Sequence, residues 1–342
     1  MKILIVKLSA IGDLVHALPA VAAIRRHLPE AHISWVVEQR SAEILRGCDV
    51  IDDLIEIDTR SMRGGRVIED ILIDMSKQAR LVRQNKYDVA IDMQGLIKSA
   101  VIGKIAGAKR RWGFSRSGLR EPAGRFLLTD TVKTPPEMHV IRKNLHLAAV
   151  AFGFEYDDTR LDFPITAYAG HAAEADAIIE RSGDKFAILN PGGGWVTKLW
   201  HAEKFGQLAD RIYEATGMTS VVATGPNEAE LAGRAAAASK SGKLILTEPS
   251  LKGFYELAKR AAVYIGGDTG PTHIAVAAAA PVVGIFGPTE WWRNGSLADG
   301  DICVERTDIG CRVDCHRRTC DKWICMDISV DEVFAAVMRR IG

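Results

Sequence analysis

No stretch of this chain is long and apolar enough to cross a bilayer as a helix. The longest apolar run, 274–286, is Ala-rich and interrupted by Pro281. It reads as the end of a buried helix followed by a strand. A strand-like run, KILIV (2–6), starts at once, leaves no room for a signal peptide and makes the cytosol the expected compartment. An excess of one charge is also missing: 44 Lys and Arg against 43 Asp and Glu leave a net charge of +1. That is not the basic surplus of a nucleic-acid binder, so no nucleic-acid partner is expected. Cysteine is too sparse, at six in 342 residues, for a disulfide scaffold. Two nucleotide signatures are lacking as well. The first strand is followed by SAIGD rather than G-x-G-x-x-G, which argues against a dinucleotide-dependent oxidoreductase. The PGGGWVTK stretch (191–198) lacks the Gly-Lys-Ser/Thr of a P-loop.

What is present is the composition of a globular protein, 47% hydrophobic and 25% charged, with a length that suits two domains. Apolar strand-like runs at 2–8, 32–38, 54–58 and 89–93 alternate with amphipathic stretches. One of these, 14–28, places Leu14, Leu18, Val21, Ala22 and Ile24 on one face. Pro19 should kink this helix or mark the true start of its regular part. The pattern repeats with strands at 186–190, 220–224, 243–247, 263–266 and 281–286. Such alternation means parallel strands with crossover helices, an α/β doubly wound sheet in each half. The aperiodic stretch 157–173 serves as the linker. The expected division is 1–165, 166–328, and a C-terminal helix at 329–342 packing back on the first domain. Open α/β sheets bind ligands outside the carboxyl ends of their strands, so the turns after the strands carry the search for function.

Three turns in the second half suit a nucleotide with phosphates. Gly192, Gly193 and Gly194 follow a strand and let backbone approach an anion, with Lys198 adding a positive charge. Glu228, after the strand ending VVATG, has the position of a ribose-binding acid, or of a helix-start acid favoured by the dipole. In VYIGGDTGPTHIAVA (263–277), Asp268, Thr269 and Gly270 precede a helix that begins near Pro271; its first N–H groups would face an anion. Asp268 or Thr269 could equally be an N-cap, and His273 a structural residue. In the first half the turn KLSAIGD (7–13) differs. A carboxylate, Asp13, follows Gly12 where a phosphate turn would avoid negative charge; capping of the helix 14–28 is its ordinary explanation.

KLSAIGDLVHALPA (7–20), YDVAIDMQGLIKSA (87–100), LREPAGR (119–125), the Lys198-x-Trp200 pair and GGDTGPTHIAVA (266–277) occur in this order across nearly the whole chain. Together they resemble the ADP-heptose:lipopolysaccharide heptosyltransferases, glycosyltransferase family 9. The resemblance implies GT-B architecture, two Rossmann-like domains with an interdomain cleft, acceptor on the first and nucleotide sugar on the second. It implies an inverting, metal-independent transfer of heptose from ADP-heptose to a Kdo residue of Kdo-lipid A, with Asp13 as general base. A member adding the second heptose, or using another sugar or acceptor, is the alternative. On the donor side it implies Gly193, Gly194, Lys198, Glu228, Asp268, Thr269, Gly270 and His273. His201 departs from the pattern, replacing the proline that usually follows the Lys-x-Trp pair.

For an anionic acceptor, Arg120, Arg63, His139 and Lys143 are the candidates, since Arg pairs bidentately with carboxylates and phosphates. The basic stretch 109–125, with Trp112, Phe114 and Leu119 interspersed, could also rest on the anionic inner membrane. Cys311, Cys315, Cys320 and Cys325 cluster late in the chain. They are read as a structural zinc or iron site, a redox-formed disulfide, or free thiols, with no part in catalysis.

Overall fold

The computed structural model describes residues 1–58, 78–311, 315 and 317–342. It divides between Thr166 and Ala167 into two units, each built on one six-stranded sheet.

In the first unit β1 (Lys2–Val6), β2 (His32–Glu38), β3 (Asp53–Ile57), β4 (Val89–Asp92), β5 (Arg110–Phe114) and β6 (Asp130–Val132) lie in the order β3-β2-β1-β4-β5-β6. All their pairings are parallel, with Ile5 of β1 opposite Trp35 on one side and Ile91 on the other. A parallel strand covered on both faces is apolar along its whole length. This is why KILIV buries every residue after Lys2. The helix expected at 14–28 is two helices, α1 (Ile11–Val15) and α2 (Leu18–His27). Pro19 sits in the first turn of α2, where its missing N–H costs no bond. α3 (Ile97–Ile105) and α4 (Val140–Phe152) complete the described helices used below.

The second unit repeats the winding. β7 (Phe186–Asn190), β8 (Thr219–Ala223), β9 (Leu244–Thr247), β10 (Val263–Gly267), β11 (Val282–Phe286) and β12 (Ile302–Glu305) run in the order β12-β11-β10-β7-β8-β9. Its helices are α5 (Ala169–Ser182), α6 (Ala202–Thr216), α7 (Ala229–Ala238), α8 (Leu251–Ala258), α9 (Gly270–Ala277), the short α10 (Trp291–Asn294) and α11 (Val330–Ile341). β5, β6 and β12 were not foreseen from the sequence. They lie at or next to sheet edges, where half-covered strands carry charge and need no continuous apolar run.

α11, expected to pack back on the first domain, groups with the second unit, whose core Val333, Ala336 and Val337 join. The chain leading into it is tied down by Trp200 Nε1 and Lys204 Nζ, which donate to the Ile328 carbonyl at 2.9 and 2.7 Å. Its N-terminus is closed by a capping box, Ser329 with Glu332.

Strand order reverses between β1 and β4 in one sheet and between β7 and β10 in the other. The crevice at such a switch point is the usual ligand site. The turns after β1, β4, β7 and β10 are therefore the ones to examine. Among the described residues no helix is long and apolar enough to cross a membrane.

Candidate functional site

At the first switch point, Asp13 lies in the opening turn of α1 with its side chain 21% exposed. Its two oxygens have different neighbours. Oδ1 is 3.5 Å from Lys7 Nζ. Oδ2 accepts from the Ala10 backbone N–H at 3.2 Å and lies 3.9 Å from Arg120 Nη1. The carboxylate therefore closes the start of its helix and also stands between two cations. Lys7 is 5% exposed and donates to the Met93 carbonyl at 2.9 Å. The turn after β4 is itself built on polar contacts: Asp92 accepts from the N–H groups of Gln94 and Gly95 and from Ser99 Oγ. Gln94 Oε1 accepts from the N–H groups of Leu8 and Ser9. Burial pushes the Asp92 carboxyl above the usual range, against these hydrogen bonds.

At the second switch point Glu228 ties two loops together. Oε1 accepts from the Gly193 N–H at 2.9 Å and Oε2 from the Gly225 N–H at 2.8 Å. A Cβ at position 192 would meet the Glu228 carboxylate at 2.1 Å, so the close approach requires glycine there. Gly193 was expected to offer its N–H to a phosphate; that N–H is already donated to Glu228. Around Gly194 a Cβ would meet nothing within 4 Å, so this backbone is open.

Asp268 is the centre of the site. Its side chain is 4% exposed. Oδ2 accepts from Lys198 Nζ at 2.5 Å and Thr289 Oγ1 at 2.7 Å; Oδ1 is 3.2 Å from His273 Nε2 and accepts from Asn294 Nδ2 at 2.5 Å. Burial opposes its ionisation, but the His273 hydrogen bond and the Lys198 charge outweigh burial and hold the carboxyl well below the ordinary range. Asp268 is thus saturated by protein groups. Thr289 and Asn294 went unnoticed in the sequence, because neither stands in a glycine-rich turn. Thr269 is the N-cap residue of α9, Gly270 its first residue, and Pro271 lies in its first turn. The first N–H groups of such a helix have no partner within it, which leaves them for an anion.

Lys198 also lies over the Trp195 ring, 4.4 Å from its centroid. The late cysteine-rich segment braces this loop. Thr197 Oγ1 donates to the Arg317 carbonyl at 2.6 Å, Trp323 Nε1 donates to the Thr197 carbonyl at 3.1 Å, and the Arg318 guanidinium covers Trp195 at 5.0 Å. His201, the departure from the family pattern, packs against Trp323 at 5.0 Å. Cys311 and Cys320 are exposed and Cys325 is buried. Burial and then the neighbouring thiols of Cys315, Cys320 and Cys311 push the Cys325 thiol up. Among the described residues no three His, Cys, Asp or Glu side chains are grouped to hold a metal ion.

The acceptor candidates separate. Arg120 stands beside Asp13. Arg63 lies outside the described residues. His139 is buried and caps α4, its Nδ1 accepting from the Ile141 N–H at 3.2 Å, and Lys143 donates to the Pro136 carbonyl at 3.0 Å. Most of the basic stretch has structural employment. Arg110 pairs with Asp130 across β5 and β6, Arg111 donates to the Leu127 and Ala108 carbonyls, and Lys109 meets Asp88. Trp112, Phe114 and Leu119 are buried rather than turned to a membrane, whereas Phe126 is 84% exposed.

Comparison with known proteins agrees with this geometry. The model of a family described as glycosyltransferase family 9 (heptosyltransferase) matches residues 75–323. The chain is 27% identical to lipopolysaccharide heptosyltransferase 1 of Pseudomonas aeruginosa, over 94% of this chain and 87% of that protein. It shares the fold of the E. coli heptosyltransferase WaaC solved with ADP: TM-score 0.75, 24% identity, 89% of this chain and 92% of that one. The same enzyme with ADP-2-deoxy-2-fluoro heptose gives TM-score 0.74 at 23% identity, over 89% and 93% of the two chains. These neighbours have GT-B architecture, and the two doubly wound sheets are those of that fold.

Proposed function

The chain belongs to glycosyltransferase family 9, and from that membership we propose that it transfers a heptose from ADP-heptose to a Kdo residue of the lipopolysaccharide inner core. The transfer inverts the anomeric carbon in one displacement. The acceptor oxygen bonds to that carbon as its proton passes to Asp13. The bond from the anomeric carbon to the diphosphate oxygen breaks, and its electron pair leaves with ADP. Lys198 and the first-turn N–H groups of α9 meet the charge on the leaving diphosphate, so the displacement is read as metal-independent. Asp268 holds Lys198 and His273 in place for this. Glu228 fixes the Gly193 and Gly225 loops, and each of its oxygens keeps a second lone pair for a ribose hydroxyl. Arg120, beside Asp13, receives an anionic group of the acceptor.

The observation that supports this most is a partly exposed carboxylate at the carboxyl end of β1, held between Lys7 and Arg120. The test is release of ADP from ADP-heptose with Kdo2-lipid A. Wild type should turn over. Asp13→Asn should lose about 10²–10⁴-fold in kcat, with donor affinity kept in calorimetry. Donor binding by wild type without turnover would redirect the assignment to another acceptor. An active Asp13→Asn would remove the base.

A further inference from the structure

The turn after β4 carries one of the motifs of the chain, yet no residue of it has a part in the transfer described above. Its geometry reaches the base through Lys7. Met93 presents its carbonyl to Lys7 Nζ at 2.9 Å, and Gln94 fastens the backbone of Leu8 and Ser9. From the other side Trp35 Nε1 donates to the Lys7 carbonyl at 2.9 Å. A lysine with its side chain 5% exposed, clamped from β2 and β4, points its ammonium at Asp13 Oδ1. Lysine is seldom buried unless paired, and an ammonium in this place must find compensation within the fold.

We infer that Lys7 is a positioning residue for the transfer: from 3.5 Å it holds Oδ1 of Asp13 and so fixes the orientation of the carboxylate that takes the acceptor proton. The inference rests on Asp13 being the base. Two consequences follow. The carboxylate cannot rotate freely, because Oδ1 is held by a cation that is itself hydrogen-bonded to Met93. The buried positive charge also keeps Asp13 ionised, since an opposite charge at this range favours the charged form. Burial, helped by Arg120 from the segment after β5, holds the Lys7 ammonium below its ordinary range, against the opposing charges of Asp13 from α1 and Asp92 from β4. Arg120, with its side chain 57% exposed, is solvated and has the freedom to move to an acceptor. Lys7 does not.

The test compares wild type, Asp13→Asn, Lys7→Gln and Lys7→Met in ADP release, as kcat and kcat/KM against pH. Folding is monitored by melting temperature and by ADP-heptose binding. With the cation gone, Asp13 should take up its proton more readily. The acid limb of kcat/KM should then move to higher pH by about one unit or more, and kcat should fall about ten-fold or more while donor affinity is kept. Lys7→Ala supplies a second route if the larger replacements unfold the unit: a small alkylamine added to it should restore part of the lost rate. Folded Lys7 variants with an unmoved acid limb would overturn the inference, as would a failure of amine to rescue a folded Lys7→Ala. If Asp13→Asn is itself active, the base assignment falls first. If Asp13→Asn is inactive and the Lys7 variants behave as wild type, only the role of Lys7 falls.

Discussion

Asp268 shows how much a single buried carboxylate can organise. Four side chains from four places in the chain converge on its two oxygens. Replacing it by Asn keeps the shape but leaves Lys198, with a side chain 15% exposed, without its counter-charge. Breaking a buried pair in this way costs on the order of 3 kcal/mol. Asp268→Asn should therefore melt lower and bind ADP-heptose more weakly. The pH dependence has a definite sign. A carboxyl held below its unfolded value stabilises the fold fully above the ordinary carboxylate range. That contribution is lost as the pH falls through this range towards the folded value. The melting temperature of wild type should thus drop from about pH 5 to about pH 3, and that of Asp268→Asn should drop less steeply. Equal slopes would mean that Asp268 is not the buried anion described. The candidate itself was legible in GGDTGPTH; its saturation was not, because Thr289 and Asn294 lie further along the chain, before and at the end of α10, in a stretch without a signature.

At the scale of elements, the loop 191–198 has no regular structure of its own beyond the 3-10 turn Val196–Lys198. It is shaped from outside, by Glu228 on one side and by the cysteine-rich segment on the other. The Trp323 Nε1 bond to the Thr197 carbonyl is the contact that can be removed with the ring kept. One hydrogen bond contributes about 1 kcal/mol, close to the 1.4 kcal/mol of a ten-fold change. Trp323→Phe should raise KM for ADP-heptose several-fold with kcat at saturating donor nearly unchanged. Steady-state kinetics over donor concentration measure it, and an unchanged KM would separate the segment from the donor loop. The regular elements were legible wherever a strand is covered on both faces. The edge strands β6 and β12, and β5 next to an edge, were not, since half-covered strands can carry Arg110, Arg111 and Glu305 without penalty.

For the whole molecule the net charge of +1 offers no general attraction to an anionic surface. Any membrane contact has to be local. The apolar residues first considered for it, Trp112, Phe114 and Leu119, are buried; among the described residues of this stretch the exposed Phe126 and Arg116 stand on the two 3-10 turns after β5, with Arg120 between those turns. If the acceptor is a membrane lipid, this is the place for peripheral contact. Each cation near an anionic surface contributes about 1 kcal/mol, and salt removes it. The protein should sediment with vesicles containing anionic lipid at low salt, remain in the supernatant with neutral vesicles, and lose most of its binding on Phe126→Ser combined with Arg116→Ser. Equal sedimentation of variant and wild type would place the contact elsewhere.

The sequence by itself determined the doubly wound α/β class and the tandem repeat of that class. A parallel strand between two helix layers must be apolar throughout, and such runs are visible without coordinates. It also determined which turns follow those strands, and the ordered motifs within them carried the family. Tertiary structure alone decided which polar groups still have capacity for a ligand. Asp268 is saturated by protein donors, Glu228 holds one backbone N–H on each oxygen and keeps room for more, Arg110 and Arg111 are consumed by contacts at and near the sheet edge, and Lys7, unremarkable as one lysine among many, faces Asp13. The physical reason is the same in each case. Hydrophobic burial follows the local period of the chain, whereas the partner of a buried charge is chosen by proximity in space between residues far apart in sequence.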